Sequence, residues 1–240
     1  MDSKGKSDAV IEKDKRRNAL EEAFFRIKQM LYLNELAPGQ KIIYSDLAKR
    51  LNISATPVIQ ALNRLEASKI VKYIPNRGYF VEVITETEAR NLYQAREALE
   101  VFSIPAIIEN LDSKSLDSIN DTFKRYKDAI SDGNRRELVL LDCKFHLKLC
   151  EFSKNDVIYR ILKDIFEQIY LKYRAEYLRD ERVRDVIKEH RAILDSLRRA
   201  DIGDSVRIFR DHIRRGMHYV IESVVRKNDR RIDDIFLTTA

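Results

Sequence analysis

No stretch of this 240-residue chain approaches the ~18 consecutive apolar residues of a membrane-spanning helix, so no membrane partner is expected. The first eighteen residues, MDSKGKSDAVIEKDKRRN, are charged and lack the apolar core of a signal peptide. The expectation is a cytoplasmic protein. Cysteine is equally scarce. The only two, Cys143 and Cys150, fall in one helical pattern at a spacing wrong for a CxxC site, which points to packing in a reduced compartment. No internal repeat is found. What is present is 44% apolar and 35% charged residues, the mixture of a helix-rich globular chain long enough for one large domain or two modest ones.

The formal charge of +6 is uneven. Residues 1–85 hold 15 Lys/Arg against 10 Asp/Glu, whereas residues 86–240 hold 30 against 29. A basic first third is an electrostatic footprint for a polyanion. Its apolar spacing predicts a helix over 15–34, ended by Pro38-Gly39, then the short apolar run Ile42-Ile43. Ser45 is placed to cap a short helix over 46–50, which Asn52 breaks. Ser54 is placed to cap the next, which has Pro57 in its first turn and runs to about Ser68. Two strands, 70–74 and 78–84, flank Pro75-Asn76-Arg77-Gly78. Helix, turn, helix and hairpin make a winged helix-turn-helix, whose second helix enters the major groove. Ser54, Thr56, Asn63 and Arg64 are then candidates for base contact, and Lys49, Arg50, Lys72 and Arg77 for phosphate. The alternative is a small α+β domain that contacts protein.

The segment LAPGQKIIYSDLAKRLNISATPVIQALNRLEASKIVKYIPNRGYFV resembles the DNA-binding domain of the GntR family of bacterial transcription regulators. It keeps the PG after the first helix, the LA..L..S.TPV..AL..L core and the P.RG..V wing. It departs at Ala55 and Ile59, where the family usually carries arginine, and at Gln60, where it commonly has glutamate. An arginine bidentate to guanine discriminates by ~1–3 kcal/mol. The family's usual operator is therefore not expected to carry over.

From the capping box Thr85-Glu86-Thr87-Glu88 onward the pattern is helical: 86–110 with a bend near Pro105, 114–131, 135–153, 155–178, 184–199 and 203–226. The expected organisation is a tail over 1–14, a winged domain over 15–84, an all-α antiparallel bundle over 85–228 and a tail over 229–240. The helix over 135–153 carries an apolar stripe, Leu138, Leu141, Phe145, Leu149 and Phe152. Asp142 and His146 lie along its edge one turn apart. His190 replaces an apolar residue in the stripe Ile187, His190, Leu194, Leu197. His212 borders the last stripe, with Gly216 leaving space one turn on, and His218 cannot share that face. A lone inward histidine is usually a hydrogen-bonded core residue, and a lone Asp/His pair is weak. Three helices presenting such groups together suit a divalent cation, with Zn, Ni, Mn or Fe as candidates. Arg96, in the stripe Ala89, Leu92, Arg96, Leu99, either pairs internally with Glu100 or clamps a ligand carboxylate.

Asp-x3-His, a histidine 44 residues on and another 22 beyond resemble the FCD ligand-binding domain of the FadR subfamily. QAREALE, residues 94–100, resembles its opening helix. The resemblance implies metal ligands Asp142, His146, His190 and His212, and a small carboxylate effector that meets Arg96. It also implies a homodimeric regulator on a pseudo-palindromic double-stranded operator. Two other outcomes stay open: a metal-dependent hydrolase, and a regulator with a structural metal or none and an apolar acyl effector. Effector, metal, operator and the sign of regulation are not legible.

Overall fold

In the computed structural model the backbone is described for residues 3–237 and the side chains for 18–224. The tails expected at 1–14 and 229–240 lie outside the residues whose side chains are described. The chain divides into two compact units, residues 1–83 and 84–240.

The first unit runs α1 (Ser3–Tyr32), β1 (Lys41–Ile42), α2 (Tyr44–Leu51), α3 (Ala55–Ala67), β2 (Val71–Ile74) and β3 (Gly78–Val81). The strands form one antiparallel sheet in the order β1-β3-β2, so Ile42-Ile43 begins as a strand that pairs with the wing. Ala23, Ile27 and Leu31 of α1, Leu47 and Leu51 of α2, and Val58, Ala61, Leu62 and Leu65 of α3 are buried together with Val71, Tyr79 and Val81. Two capping details differ from expectation. Helix α2 starts at Tyr44 with Ile43 in the cap position, so Ser45 lies inside it. Ser54 does occupy the α3 cap, but its hydroxyl makes no cap bond. Asn52 ends α2 in the left-handed region at φ 55°, donating its N–H to the last-turn carbonyls of Ala48 and Lys49, a conformation asparagine tolerates better than most residues. At the wing tip, Arg77 N–H closes the turn on Ile74 C=O at 2.9 Å, and Asn76 and Gly78 supply the positive φ angles the reversal requires.

The second unit runs α4 (Glu86–Asn110), α5 (Ser113–Asp128), α6 (Arg135–Glu151), α7 (Asp156–Lys172), a 3-10 turn (Ala175–Tyr177), α8 (Asp180–Arg198) and α9 (Ile202–Leu237). Side-chain caps open four of these helices. Thr85, Asp112 and Asn134 each accept a backbone N–H three residues on, and Asn155 accepts from Val157 and Ile158. Helix α4 continues across Pro105, lies along α9, and α8 packs on α9. One apolar cluster joins Ile104, Ile107, Ile119, Phe123, Phe145, Leu149, Ile193, Leu194, Leu197 and Phe209. The expected helix over 155–178 stops at Lys172 instead. Tyr219 of α9 explains why the following chain need not be helical: its hydroxyl accepts from the Arg179 N–H at 2.8 Å and donates to the Tyr177 carbonyl at 2.7 Å, satisfying backbone groups a helix would otherwise pair.

Candidate functional site

The stripes on α6, α8 and α9 turn their histidines inward. His146, His190 and His212 are all buried, and His190 lies flat against Phe145 with ring centroids 4.0 Å apart. His218 is exposed. One ligand atom from each of Asp142, His146, His190 and His212 lies within 4.8 Å of the other three, and among the described residues this is the grouping able to hold a metal ion. The spacing argument therefore brings together the four residues it named.

Behind these residues stand two carboxylates. Nδ1 of His146 lies 2.6 Å from Glu100 Oε2, and Nδ1 of His212 lies 2.7 Å from Glu189 Oε2. Each bond puts the ring proton on Nδ1 and leaves Nε2 as a lone-pair donor aimed at the centre. The two Nε2 atoms are 2.9 Å apart. Two lone pairs at that distance repel unless a positive charge sits with them. His190 Nε2 lies 3.2 Å from Asp142 Oδ1 but forms no aligned hydrogen bond, leaving both its ring nitrogens buried without a partner. That is costly for neutral polar atoms in a core.

Each carboxylate is in turn held by an arginine. Arg96 Nε donates to Glu100 Oε1 at 2.8 Å, and Arg182 Nη1 donates to Glu189 Oε1 at 2.9 Å. Two Arg–Glu–His relays thus meet at the histidine pair. Arg96 is the internal ion pair weighed as one of its two readings, and it keeps more: its Nη2 is buried with no partner. Burial alone would raise the Glu100 pKa, but His146 and Arg96 outweigh it and hold the carboxyl at about 2. Glu189 is likewise held at about 2, against burial, by His212 and Arg182. Burial pushes His212 down to about 3 despite Glu189, and lowers His190 as well. Asp142 sits well below the usual carboxylate range: burial opposes this, and the surrounding histidines prevail.

A cavity of ≈ 70 Å³ opens beside the cluster, with Tyr93, Arg96, Tyr126, Asp142, Tyr173 and Arg182 among its lining. At ~10–15 Å³ per water it has room for roughly five to seven water molecules, the size of a short organic acid. Burial raises Tyr93 to about 12 and keeps its hydroxyl protonated. Both thiols are also pushed up by burial, Cys150 to about 11, which leaves them poor ligands and supports a packing role.

In the winged unit every candidate for nucleic acid is exposed: Ser54, Thr56, Asn63 and Arg64 at and along α3, Lys49 and Arg50 at the end of α2, Lys72 on β2 and Arg77 at the wing tip. Several are engaged. Arg64 pairs with Glu21 at 2.9 Å and stacks on Phe24. Arg50 pairs with Glu35, and Lys72 with Glu82 at 3.1 Å. Arg77 lies over Phe80, and Asn63 Oδ1 accepts from the Tyr79 hydroxyl at 2.6 Å.

Comparison with known proteins matches residues 20–81 to the gntR family of bacterial regulatory proteins and residues 91–215 to the FCD domain. The chain belongs to the GntR family and carries an FCD domain. The regulator is 25% identical over 175 residues to the HTH-type transcriptional regulator YdhC of Bacillus subtilis, an alignment spanning 72% of this chain and 78% of that protein. It is 22% identical over 177 residues to the HTH-type transcriptional regulator McbR of Escherichia coli, spanning 73% and 80%. Among solved structures, E. coli McbR/YncC superposes with a TM-score of 0.71 at 19% identity over 85% of this chain and 97% of that one. A GntR regulator from Rhodococcus superposes at 0.73 and 16% identity with the same coverage. These likenesses establish the fold. GntR regulators bind DNA operators and are not enzymes, which removes the hydrolase alternative. The geometry agrees: Glu189, the acid beside His190, is committed to His212, Arg182 and Arg215.

Sequence reasoning missed the outer residues of the site. Helix α4 buries Ala89, Tyr93, Arg96, Glu100 and Ile104, whereas Leu92 and Leu99, named in its stripe, are only half-buried. Treating polar residues as outward-facing hid Tyr93, and Glu100, expected only as an internal partner of Arg96, was not read as the acceptor behind His146. The available signal was the i,i+4 spacing of Arg96 and Glu100 on the face that carries Ala89. In the winged unit Gln60, named above only as a departure from the family's pattern, is exposed. With Thr56 and Asn63 it forms an exposed i, i+4, i+7 line along α3.

Proposed function

We propose that this regulator binds a pseudo-palindromic operator as a homodimer in the cytoplasm, and that a small carboxylate at a divalent metal in the FCD domain modulates that binding. The observation that carries the metal reading is the pair of facing Nε2 lone pairs, each fixed by a carboxylate on Nδ1. Nitrogen ligands ~2.1 Å from one ion and at right angles to each other are ~3.0 Å apart, close to the 2.9 Å between His146 and His212. The orphaned nitrogens of His190 and the adjoining Asp142 complete a donor set of three imidazoles and a carboxylate. Such a set suits Zn, Ni, Mn or Fe, and the bound ion would supply a Lewis-acidic anchor for a carboxylate. Arg96 Nη2 supports a role in meeting that carboxylate, and the arrangement fits the FadR type of FCD domain.

The small volume of the cavity, with Arg96, Asp142, Arg182 and His212 in its lining, favours this reading over a structural metal with an acyl effector, because an acyl chain needs a longer channel. On DNA, Ser54, Thr56 and Asn63 face the bases, joined by Gln60 on the same exposed line, while Lys49, Arg50, Lys72 and Arg77 reach phosphate; Arg64, expected at the bases, is drawn onto Glu21 and Phe24 and is assigned to phosphate instead. Ala55 and Ile59 are half-buried and give no guanine fork, so shape readout carries more of the specificity. Control by tenfold needs ~1.4 kcal/mol of coupling between effector and operator. The test is metal analysis of the purified protein, followed by operator titration with and without small acids, for wild type and Asp142→Ala. Loss of both metal and acid response in the variant supports the reading. An unchanged response to acids after metal removal refutes it.

A further inference from the structure

The chain passes from the winged unit to the helical unit between Val83 and Ile84. Ile84 is buried, and its N–H donates to the main-chain carbonyl of Lys172 at 3.2 Å. Lys172 is the last residue of α7, so this carbonyl is one of the acceptors that a helix leaves unpaired at its C-terminus. The side chain of the same residue turns inward. It is fully buried, and Nζ donates to Glu88 in the first turn of α4 and to Gln168 Oε1 at 3.1 Å. Lys172 therefore holds the first residue of the helical unit by its backbone and the first turn of α4 by its charge. Lysine is almost never fully buried unless paired, and an apolar side chain would fill the space without the cost of desolvating an ammonium. What the ion pair adds to packing is a fixed register between α7 and α4.

The apolar side of Ile84 leads to the candidate metal ligands. Ile84 packs in one cluster with Tyr93 of α4, Ile169 of α7, Tyr173 just beyond it, and Ile213 and Val220 of α9. Those five partners also line the cavity, together with Asp142 and His212. Ile213 directly follows His212, and Tyr173 directly follows Lys172. An ion bound by His212 restrains the backbone that carries Ile213. Packed side chains and one main-chain hydrogen bond then form a contiguous path from the ligand set to Ile84, the kind of path along which coupling travels.

We infer that Lys172 is a positioning residue for the start of the helical unit. Its carbonyl and its ion pair with Glu88 form a latch on residues 84–88, and an ion held by α6, α8 and α9 sets how firmly that latch is closed. The inference rests on the metal reading above and adds the route by which the site reaches operator binding. With the ion in place, α9 and the end of α7 keep the cluster closed around Ile84. Without it the cluster opens more often, and the segment that joins the winged unit is released.

The test uses full-length protein, metal-stripped and zinc-loaded, with amide hydrogen exchange followed at residues 84–89 and operator affinity measured on the same samples. The Ile84 N–H is held by a single main-chain bond, so it exchanges by local opening, and zinc is expected to slow it about tenfold in wild type. Operator affinity is expected to differ about tenfold between the two states. Lys172→Met is expected to bind zinc within about twofold of wild type, yet to lose the protection at Ile84 and most of the zinc effect on the operator. Glu88→Gln guards against a folding failure of Lys172→Met, because it keeps the shape of the latch and removes the charge from a partly exposed side chain. It is expected to weaken both zinc effects with zinc affinity unchanged. A residue that only packed would alter both metal states alike and leave the ratio between them untouched. Exchange at Ile84 that ignores zinc in wild type, an operator affinity that ignores it, or variants that keep both zinc effects in full would each overturn the latch and leave the metal reading intact. Failure of wild type to bind zinc overturns both.

Discussion

The two units use the same chemical pair, a guanidinium against a carboxylate, in opposite ways. In the winged unit, Arg50–Glu35 and Arg64–Glu21 are solvated, with side chains 36–57% exposed. In the helical unit, Arg96–Glu100 is 3% exposed on both sides and Arg182–Glu189 is 9% and 7%. Exposed pairs contribute ~0–1 kcal/mol, so their carboxylates are easily exchanged for a phosphate. Buried pairs are fixed, because losing either partner strands the other in a low dielectric. A DNA-facing surface gains from cations that can change partners. A core that holds a ligand, as proposed, gains from cations that cannot move.

The sharpest way to break this contrast is Glu100→Ala. It leaves Arg96 and the His146 Nδ1 proton buried without their acceptor, and a loss of ~3–5 kcal/mol in urea unfolding is expected. A loss below ~1 kcal/mol would mean that the buried relay is as loosely held as the surface pairs.

Metal removal comes next. Stripping the protein with a chelator and restoring Zn or Mn at a hundredfold excess over its dissociation constant is expected to return ~2.7 kcal/mol of stability. The shift should be absent in Asp142→Ala. Identical melting with and without metal in wild type would remove the ion from the site. Smaller again is Glu189→Gln, which weakens the grip on His212 without touching a ligand. Outer partners of this kind are worth ~10–100-fold in metal affinity. An unchanged affinity would show that the Arg182 relay supports packing only.

Acid probes the same core in the metal-free protein. The His212 pKa is lowered from its ordinary 6.5 to about 3, chiefly by burial. Between those pH values the unfolded chain carries a proton that the folded chain refuses, so stability falls as pH falls. Each such proton gives a slope of ~1.4 kcal/mol per pH unit. Glu100 and Glu189, held at about 2, add to the loss in the same direction below their ordinary 4.5. Melting temperatures that rise between pH 6.5 and pH 5 would contradict the burial of His212.

The sequence was most legible where one residue type carries one meaning. Asn52, Pro57 and the Pro75–Gly78 turn marked breaks that backbone sterics impose, and the helix-turn-helix followed from them. The inner site was legible because Asp142, His146, His190 and His212 are anomalies on apolar faces. Glu189 and Arg182 were hidden because a charged residue on a helix is ordinarily solvated, and only tertiary packing shows which ones are not; Glu100 was legible only as a partner of Arg96, not of His146. The end of α7 was hidden for a similar reason: the hydroxyl that satisfies the Tyr177 carbonyl and the Arg179 N–H belongs to Tyr219, forty-two residues after Tyr177.

The smallest effect tests the other half of the comparison. Arg64 holds Glu21 in a two-oxygen fork at 2.9 and 3.0 Å and stacks on Phe24 with its guanidinium carbon 4.0 Å from the ring centroid. Both contacts are exposed, so Arg64→Ala should cost the fold less than ~1 kcal/mol. Its effect on DNA should be larger. If Arg64 exchanges Glu21 for a phosphate, the variant lowers the slope of log affinity against log salt by ~0.9, the share of one released counterion. Glu21→Ala should act in the opposite sense, tightening operator binding by removing the competing carboxylate. An unaltered salt slope in Arg64→Ala, with no tightening in Glu21→Ala, would make this pair as fixed as the buried ones and erase the distinction between the two units.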